Sequence, residues 1–191
     1  MNNVESGEPL YIKFSVTGYS KIAPAPTSPD DFFNISRRYY DLQGNNISPT
    51  TLEVGSMMVV VLDVTAKKPV NDALIVDFLP AGLELENQNL SNSSVNLSSI
   101  PAIADLMKGE DISDIKYQEY RDDRYVAAVN LQTYVARDTY RKRIVYLVRA
   151  VTPGDYMIPY PYVESMYRPD RFAIGQSPDL MTISNPKKEQ N

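Results

Sequence analysis

Met57–Ala66 reads MMVVVLDVTA, and Asn71–Leu79, just past Lys67-Lys68-Pro69, reads NDALIVDFL. Both runs have strand length and β-forming residues. The first half of Met57–Ala66 is solidly apolar, as in a strand covered on both faces or lying at a sheet centre. Pro80-Ala81-Gly82 then turns the chain sharply. Similar runs appear on both sides of this pair. Phe33–Leu42 reads as a strand closed by the turn Gly44-Asn45-Asn46. Ile115–Arg121, Arg124–Leu131 and Lys142–Val151 read as three more, the first two joined through Asp122-Asp123 as a tight hairpin that lacks the favoured Gly. Pro153-Gly154 is a turn. Tyr156–Tyr162 is extended and interrupted by proline, which places it at an edge or leading out of a sheet. Leu180–Ile183 is a last short strand.

Only one stretch reads as helix. Ser99–Lys108 has Ser99 as its expected N-cap, Pro101 in the first turn and Gly109 just after. Eight or nine short strands with at most one short helix define an all-β chain, an antiparallel β-sandwich or barrel. At the N-terminus, Leu10–Gly18 (LYIKFSVTG) alternates like a strand, and Ala23–Asp31 (APAPTSPDD) reads as a linker because its prolines cannot continue a helix or a central strand. The expected organisation is residues 1–28 as an N-terminal strand and Pro-rich linker, 29–185 as the sandwich, and 186–191 as a disordered tail. Asn87–Ser99, rich in Asn and Ser, reads as an exposed loop. Its N-x-S triplets at Asn89, Asn92 and Asn96 are what such a composition produces without glycosylation.

Composition narrows the chemistry. The chain has 191 residues, 43% of them hydrophobic, enough for a real core. It has no Cys and no His, so it holds no thiolate nucleophile, no Ser-His-Asp triad and no Cys or His zinc site. A net charge of -5 makes nucleic acid or an anionic membrane surface a poor partner. Met1–Pro9 is polar, with no signal-peptide h-region, and the apolar run Met57–Leu62 is too short to span a bilayer. The acid pairs Asp30-Asp31, Glu110-Asp111 and Asp122-Asp123 fall in turns and read as solvated, not as a glycosidase pair or a metal site. Arg37-Arg38 and Arg141-Lys142-Arg143 read as partners of nearby acids. No catalytic residue, metal or cofactor is expected. Of the Arg38-Tyr39-Tyr40 stretch, one ring is expected to face the core. Tyr156–Tyr167 (YMIPYPYVESMY) admits two readings: a crossover that covers the core, or an apolar loop offered to a partner.

Several stretches carry a resemblance. They are Tyr39-Tyr40-Asp41-Leu42 followed by Gly44, Asp77–Glu84 (DFLPAGLE), Tyr120–Ala128 (YRDDRYVAA), Tyr146–Gly154 (YLVRAVTPG) and Glu164–Pro169 (ESMYRP). The L-P-A-G-L-E piece alone, Leu79–Glu84, is common in bacterial Ig-like repeats, whereas the R-D-D-R and M-Y-R-P pieces in this order are more specific. Together, from about Phe33 to Ile183, the chain resembles the C-terminal macroglobulin-like domain, MG10, of bacterial alpha-2-macroglobulins. The resemblance implies a macroglobulin, immunoglobulin-like sandwich from a large periplasmic, often membrane-anchored protein that traps attacking proteases. In that family a thioester in another domain captures the protease after a bait region is cut. The C-terminal domain packs against the thioester domain and keeps water from the thioester. The implied shielding loop is Glu164–Pro169, with Met166 and Tyr167 as covering side chains and Glu164, Arg168 and Pro169 around them. The implied partners are the thioester domain of the same polypeptide and, through the full-length protein, target proteases. Nucleic acid is not a partner, and a membrane only through an anchor elsewhere in the parent. The family's thioester Cys and Gln lie in a different domain, consistent with a chain that has no Cys. The alternative is an Ig-like adhesion or spacer module of a bacterial surface protein.

Overall fold

The apolar run that opens the sequence reading forms the middle of a sheet. The computed structural model describes residues 11–15, 27–86, 97–108, 114–136, 139–178 and 180–186. In it, β4 (Met57–Ala66) lies between β1 (Phe33–Tyr40) and β10 (Thr139–Ala150), antiparallel to both. Both faces of β4 are covered. Met58, Val60, Leu62, Val64 and Ala66 enter the main core, while Val59 and Val61 point the other way into a second cluster with Tyr40, Leu97, Ile103 and Leu147. The second cluster exists because α1 (Pro101–Leu106) and the 3₁₀ turn Leu97–Ser99 supply its outer side.

Three sheets make up the sandwich. The first runs β2-β1-β4-β10-β6, with β2 at Asn46–Ile47 and β6 at Leu83–Glu86. Here β9 (Thr133–Ala136) shares the β10 edge with β6, the two lying at opposite ends of the long strand. The second runs β13-β12-β5-β8-β7, formed by Arg168–Ile174, Pro161–Ser165, Val70–Phe78, Arg124–Leu131 and Ile115–Tyr120. The third is small: β11 (Gly154–Met157), β14 (Leu180–Ser184) and β3 (Thr51–Glu53). Every pairing among these strands is antiparallel except β14 with β3. The main core fills the space between the first two sheets, with Leu52, Met181 and Ile183 of the third closing one end.

The all-β antiparallel sandwich with one short helix is the observed fold. The Asp122-Asp123 hairpin forms, with Tyr120 opposite Tyr125 and the Arg121 amide donating to the Arg124 carbonyl at 3.0 Å. Several details differ from the sequence reading. More strands form than eight or nine, because β2, β3, β6 and β9 are too short to show a period. Both Tyr39 and Tyr40 are buried, not one of them, because the face opposite the core is itself closed by α1. The helix N-cap is Ile100, which makes no side-chain cap, while Ser99 belongs to the 3₁₀ turn. Pro101, whose fixed φ is already helical, starts the helix without a polar cap. Tyr11–Ser15 is not a strand: Tyr11, Ile12 and Phe14 stand 62–89% exposed. Tyr156–Tyr162 splits between an edge strand, β11, and the interior strand β12. Of Asn87–Ser99, read as an exposed loop, the end Leu97–Ser99 is the 3₁₀ turn, with Leu97 buried because it packs under β4, while residues 87–96 and the Glu110-Asp111 pair lie outside the described residues.

A hairpin tip as the candidate functional site

Strand β12 leaves the crossover Ile158–Tyr160 and inserts beside β5, with Pro161 opposite Asp77 and Ser165 opposite Ala73. On its other side it pairs with β13 as far as Glu164 opposite Phe172. The register then jumps, so that Ser165 faces Arg168 and Pro169, Asp170 and Arg171 bulge outward. Met166 and Tyr167 form the two-residue turn. The period-2 alternation of the preceding segment explains what is hidden: Pro161, Val163 and Ser165 are buried, and Tyr162 and Glu164 are half-buried on the opposite face. The turn has no inner face, and there Met166 is 49% and Tyr167 77% exposed.

The tip is held in place. The Met166 amide donates to the Asp72 carbonyl at 3.0 Å. Asp72 sits in an irregularity of β5 with φ +59°, a left-handed conformation, and its carboxylate accepts from Lys116 Nζ at 2.5 Å. Beyond the turn, Arg168 donates to Asp170 at 3.1–3.2 Å. Arg171 lies over the Phe32 ring, 4.4 Å from its centroid. The five residues singled out by the sequence therefore divide. Met166, Tyr167, Arg168 and Pro169 stand together on the exposed tip. Glu164 lies one step back within the strand, its carboxylate accepting from the Tyr162 hydroxyl at 2.6 Å. Burial and this carboxylate push the Tyr162 hydroxyl up to about 12.

Asp72 is the anchor that sequence reasoning missed, since nothing in Asn71-Asp72 at a strand start marks a left-handed residue. An L-residue with a Cβ pays about 1–2 kcal/mol in this conformation, whereas Gly pays none and Asp is partly tolerated. Asp72→Ala is expected to be less stable than Asp72→Gly by about 1 kcal/mol, even though Gly has the more disordered unfolded state. Thermal unfolding of the two variants measures the difference; equal stability would mean that Asp72 does not hold this backbone.

Several other charged groups have structural partners. Arg37 of β1 reaches between the sheets to Asp77 of β5, donating to Oδ1 at 2.5 Å, and to the Pro159 carbonyl and Ser177 Oγ at 2.6 Å each. The Tyr146 hydroxyl donates to the second Asp77 oxygen. Burial pushes the Asp77 carboxyl above its ordinary value, and Arg37 with Tyr146 pulls against that. Burial also holds the Tyr146 hydroxyl well above its usual value. On the outer side, Arg38 and Arg143 converge on Asp63. Burial pushes the Asp63 carboxyl up, but hydrogen bonds and charge from Arg143 and Arg38 overcome it and leave it below its ordinary value. Asp31 pairs with Lys67, and Asp123 with Arg124 on the open β7–β8 turn. Among the described residues no three His, Cys, Asp or Glu side chains converge as metal ligands.

Fold and hairpin together define a macroglobulin-type sandwich. A family model described as the bacterial alpha-2-macroglobulin MG10 domain matches residues 33–170. The chain belongs to the bacterial alpha-2-macroglobulin family. It is 43% identical over 177 residues to an alpha-2-macroglobulin of Escherichia coli K12, covering 92% of this chain and 10% of that protein. It thus spans about a tenth of the length of that curated relative. Trypsin-activated Escherichia coli alpha-2-macroglobulin superposes with a TM-score of 0.77 at 43% identity, over 87% of this chain and 11% of the other. Salmonella alpha-2-macroglobulin reacted with methylamine gives 0.71 at 41%, over 87% and 10%.

Proposed function

We propose that this chain is the C-terminal macroglobulin domain of a broad-spectrum protease inhibitor, and that the β12–β13 hairpin covers a thioester in another domain of the same polypeptide until a protease cuts the bait region. The observation that carries the reading is the placement of Met166 and Tyr167. They follow a strand whose residues are all buried or half-buried, and stand side by side on a pinned two-residue tip, left in water. Two relatives support the chemistry. One is described as activated by trypsin, and another as reacted with methylamine, an amine nucleophile of the kind that opens thioesters.

Water attacking a thioester carbonyl breaks the C–S bond and leaves a carboxylic acid and a free thiol. Excluding water therefore preserves the reagent for a protease amine. Burying one Met and one Tyr supplies about 3–6 kcal/mol before ordering costs, enough to seat the lid and weak enough to release it. The Met166–Asp72 hydrogen bond, the Arg168–Asp170 pair and Pro169 order the tip beforehand, so little entropy is lost on docking.

The test uses the full-length parent. Met166→Ala combined with Tyr167→Ala is expected to raise free-thiol release about tenfold or more, the effect of losing at least 1.4 kcal/mol of cover. This domain has no Cys, so any thiol read arises elsewhere in the parent. Unchanged release from a thioester-bearing parent would refute the lid.

The same reading places the protein in the periplasm, with proteases as targets and any membrane attachment through an anchor elsewhere in the parent. No helix among the described residues is long and apolar enough to cross a membrane. It also assigns residues 1–28 to a strand and linker at the end of the preceding domain, 29–185 to the sandwich and 186–191 to a tail. The exposed Tyr11, Ile12 and Phe14 support the first of these assignments, since a strand-like apolar stretch left in water calls for another sheet.

A further inference from the structure

Two strand irregularities sit level with each other on either side of β8. On β5 the partners pass from Val70–Leu131 to Ala73–Val129, so Asn71 and Asp72 together oppose the single residue Asn130. On β7 they pass from Ile115–Val129 to Tyr117–Ala128, which leaves Lys116 as the extra residue. Each is a β-bulge, a device that bends a strand and re-aims a side chain. Ala73 and Ile115 both face Val129, so the two bulges fall at the same height. Lys116 and Asp72 meet across β8, Lys116 Nζ donating to Asp72 Oδ1 at 2.5 Å. Every polar group of Asp72 then has its own partner. The amide donates to Asn130 Oδ1 at 3.4 Å, the carboxylate accepts from Lys116, and the carbonyl accepts from the Met166 amide at 3.0 Å.

We propose that Lys116 and Asp72 are positioning residues for the Met166–Tyr167 tip: an ionic brace laid across β8 holds the carbonyl from which the tip hangs, and makes the tightness of the cover depend on ionic strength. The inference rests on the proposed reading of the hairpin as a lid, and adds what regulates its hold. Any residue could offer a carbonyl to Met166; what must be fixed is where that carbonyl points. It points at the tip only while Asp72 keeps its left-handed φ of +59°, a conformation that an L-residue does not hold unaided. Asn130 and Lys116 grip the same residue from its amide and its carboxylate, and so hold that conformation. The brace is open to water, with the Lys116 side chain 43% and that of Asp72 22% exposed. An ion pair this open weakens as salt rises, since the screening length falls to about 3 Å at 1 M, close to the contact distance itself. The Arg37–Asp77 pair, at 2% and 0% exposed, is shielded from that effect.

The test is free-thiol release from the full-length, thioester-bearing parent in low and in high NaCl, with the thermal unfolding midpoint measured alongside. Lys116→Met keeps the length of the side chain and removes its charge. It is expected to raise release about two- to fivefold in low salt and to leave the midpoint unchanged, in keeping with the small weight of an exposed pair in overall stability. Lys116→Arg, which restores the charge, is expected to return release to the wild-type value. Wild-type release is expected to climb with salt toward that of Lys116→Met, whose own release stays level. Added to Tyr167→Ala, Lys116→Met is expected to change nothing more, because the brace acts through the tip. Wild-type release from Lys116→Met, equal release from Lys116→Met and Lys116→Arg, or a midpoint that falls in step with release would each overturn the brace. The lid fails separately. Unchanged release on Tyr167→Ala combined with Met166→Ala sinks the lid and the brace together, whereas raised release there beside unchanged release from Lys116→Met sinks the brace alone.

Discussion

Asp77→Ala is expected to destabilise the chain by about 3–5 kcal/mol, the typical loss when one member of a buried ion pair is removed. The size follows from what remains. The Arg37 side chain is 2% exposed and Asp77 fully buried, so the variant leaves a guanidinium between two sheets with only the Pro159 carbonyl and Ser177 hydroxyl as acceptors. The Tyr146 hydroxyl loses its acceptor in the same step. Its ring is stacked on Tyr125, 4.7 Å between centroids, so it has little freedom to seek another. The intact pair is a different matter. Desolvating two charges offsets most of their attraction, and apolar residues in both places are often as stable. Arg37→Leu combined with Asp77→Leu is therefore expected to recover at least half of the single-variant loss. Urea denaturation of the three variants measures this. A loss below about 1 kcal/mol for Asp77→Ala would show that Arg37 reaches water.

Ile103→Ala carries the second large effect, an expected loss of about 2–4 kcal/mol, within the range for deleting a fully buried branched side chain. Ile103 is the residue of α1 that is fully buried, packed on Tyr40, Val59, Val61 and Leu147. A six-residue helix has almost no stability of its own, so its attachment depends on this contact. Losing it exposes the outer face of β4, where Val59 and Val61 have no polar alternation to fall back on. Hydrogen exchange separates the consequences. Protection is expected to fall first at the amides of α1, with the β4–β10 ladder protected until global unfolding. Simultaneous loss in both would show that α1 and the sheet unfold as one unit.

The two effects differ in how far the sequence announces them. The apolar run Met57–Leu62 reads as a strand covered on both faces or at a sheet centre, and Ser99–Lys108 reads as a helix, but that the helix covers this strand is decided by the fold. The Arg37–Asp77 pair leaves a fainter trace. Phe33, Ile35 and Tyr39 alternate inward on β1 and Arg37 shares their parity; Ala73 and Ile75 do so on β5, with Asp77 in step. Two opposite charges at inward positions of separate strands are a usable signal for a buried bridge. That they meet is another matter, since forty positions separate them.

The hairpin shows the same division. Tyr156–Tyr167 admitted a core crossover or a loop offered to a partner, and the structure divides the segment between buried and exposed parts. Ile158, Pro161 and Val163 go inward, and Met166 and Tyr167 remain outside. Periodicity covers the first part, because alternation is a property of consecutive residues. It stops at the turn, where exposure depends on the register jump after Glu164 and on the Asp72 carbonyl that receives the Met166 amide.

The sequence by itself determined that this is a β-sandwich without Cys or His chemistry, and its motifs led to the alpha-2-macroglobulin family. Tertiary structure alone decided that Arg37 finds Asp77 and Tyr146, that Tyr40 is buried, and that a left-handed Asp72 pins the tip. The physical reason is range. Strand propensity, alternation and turn chemistry act over a few residues and can be read along the chain. Partners 40, 69 and 122 positions apart are brought together only by the register and stacking of whole sheets.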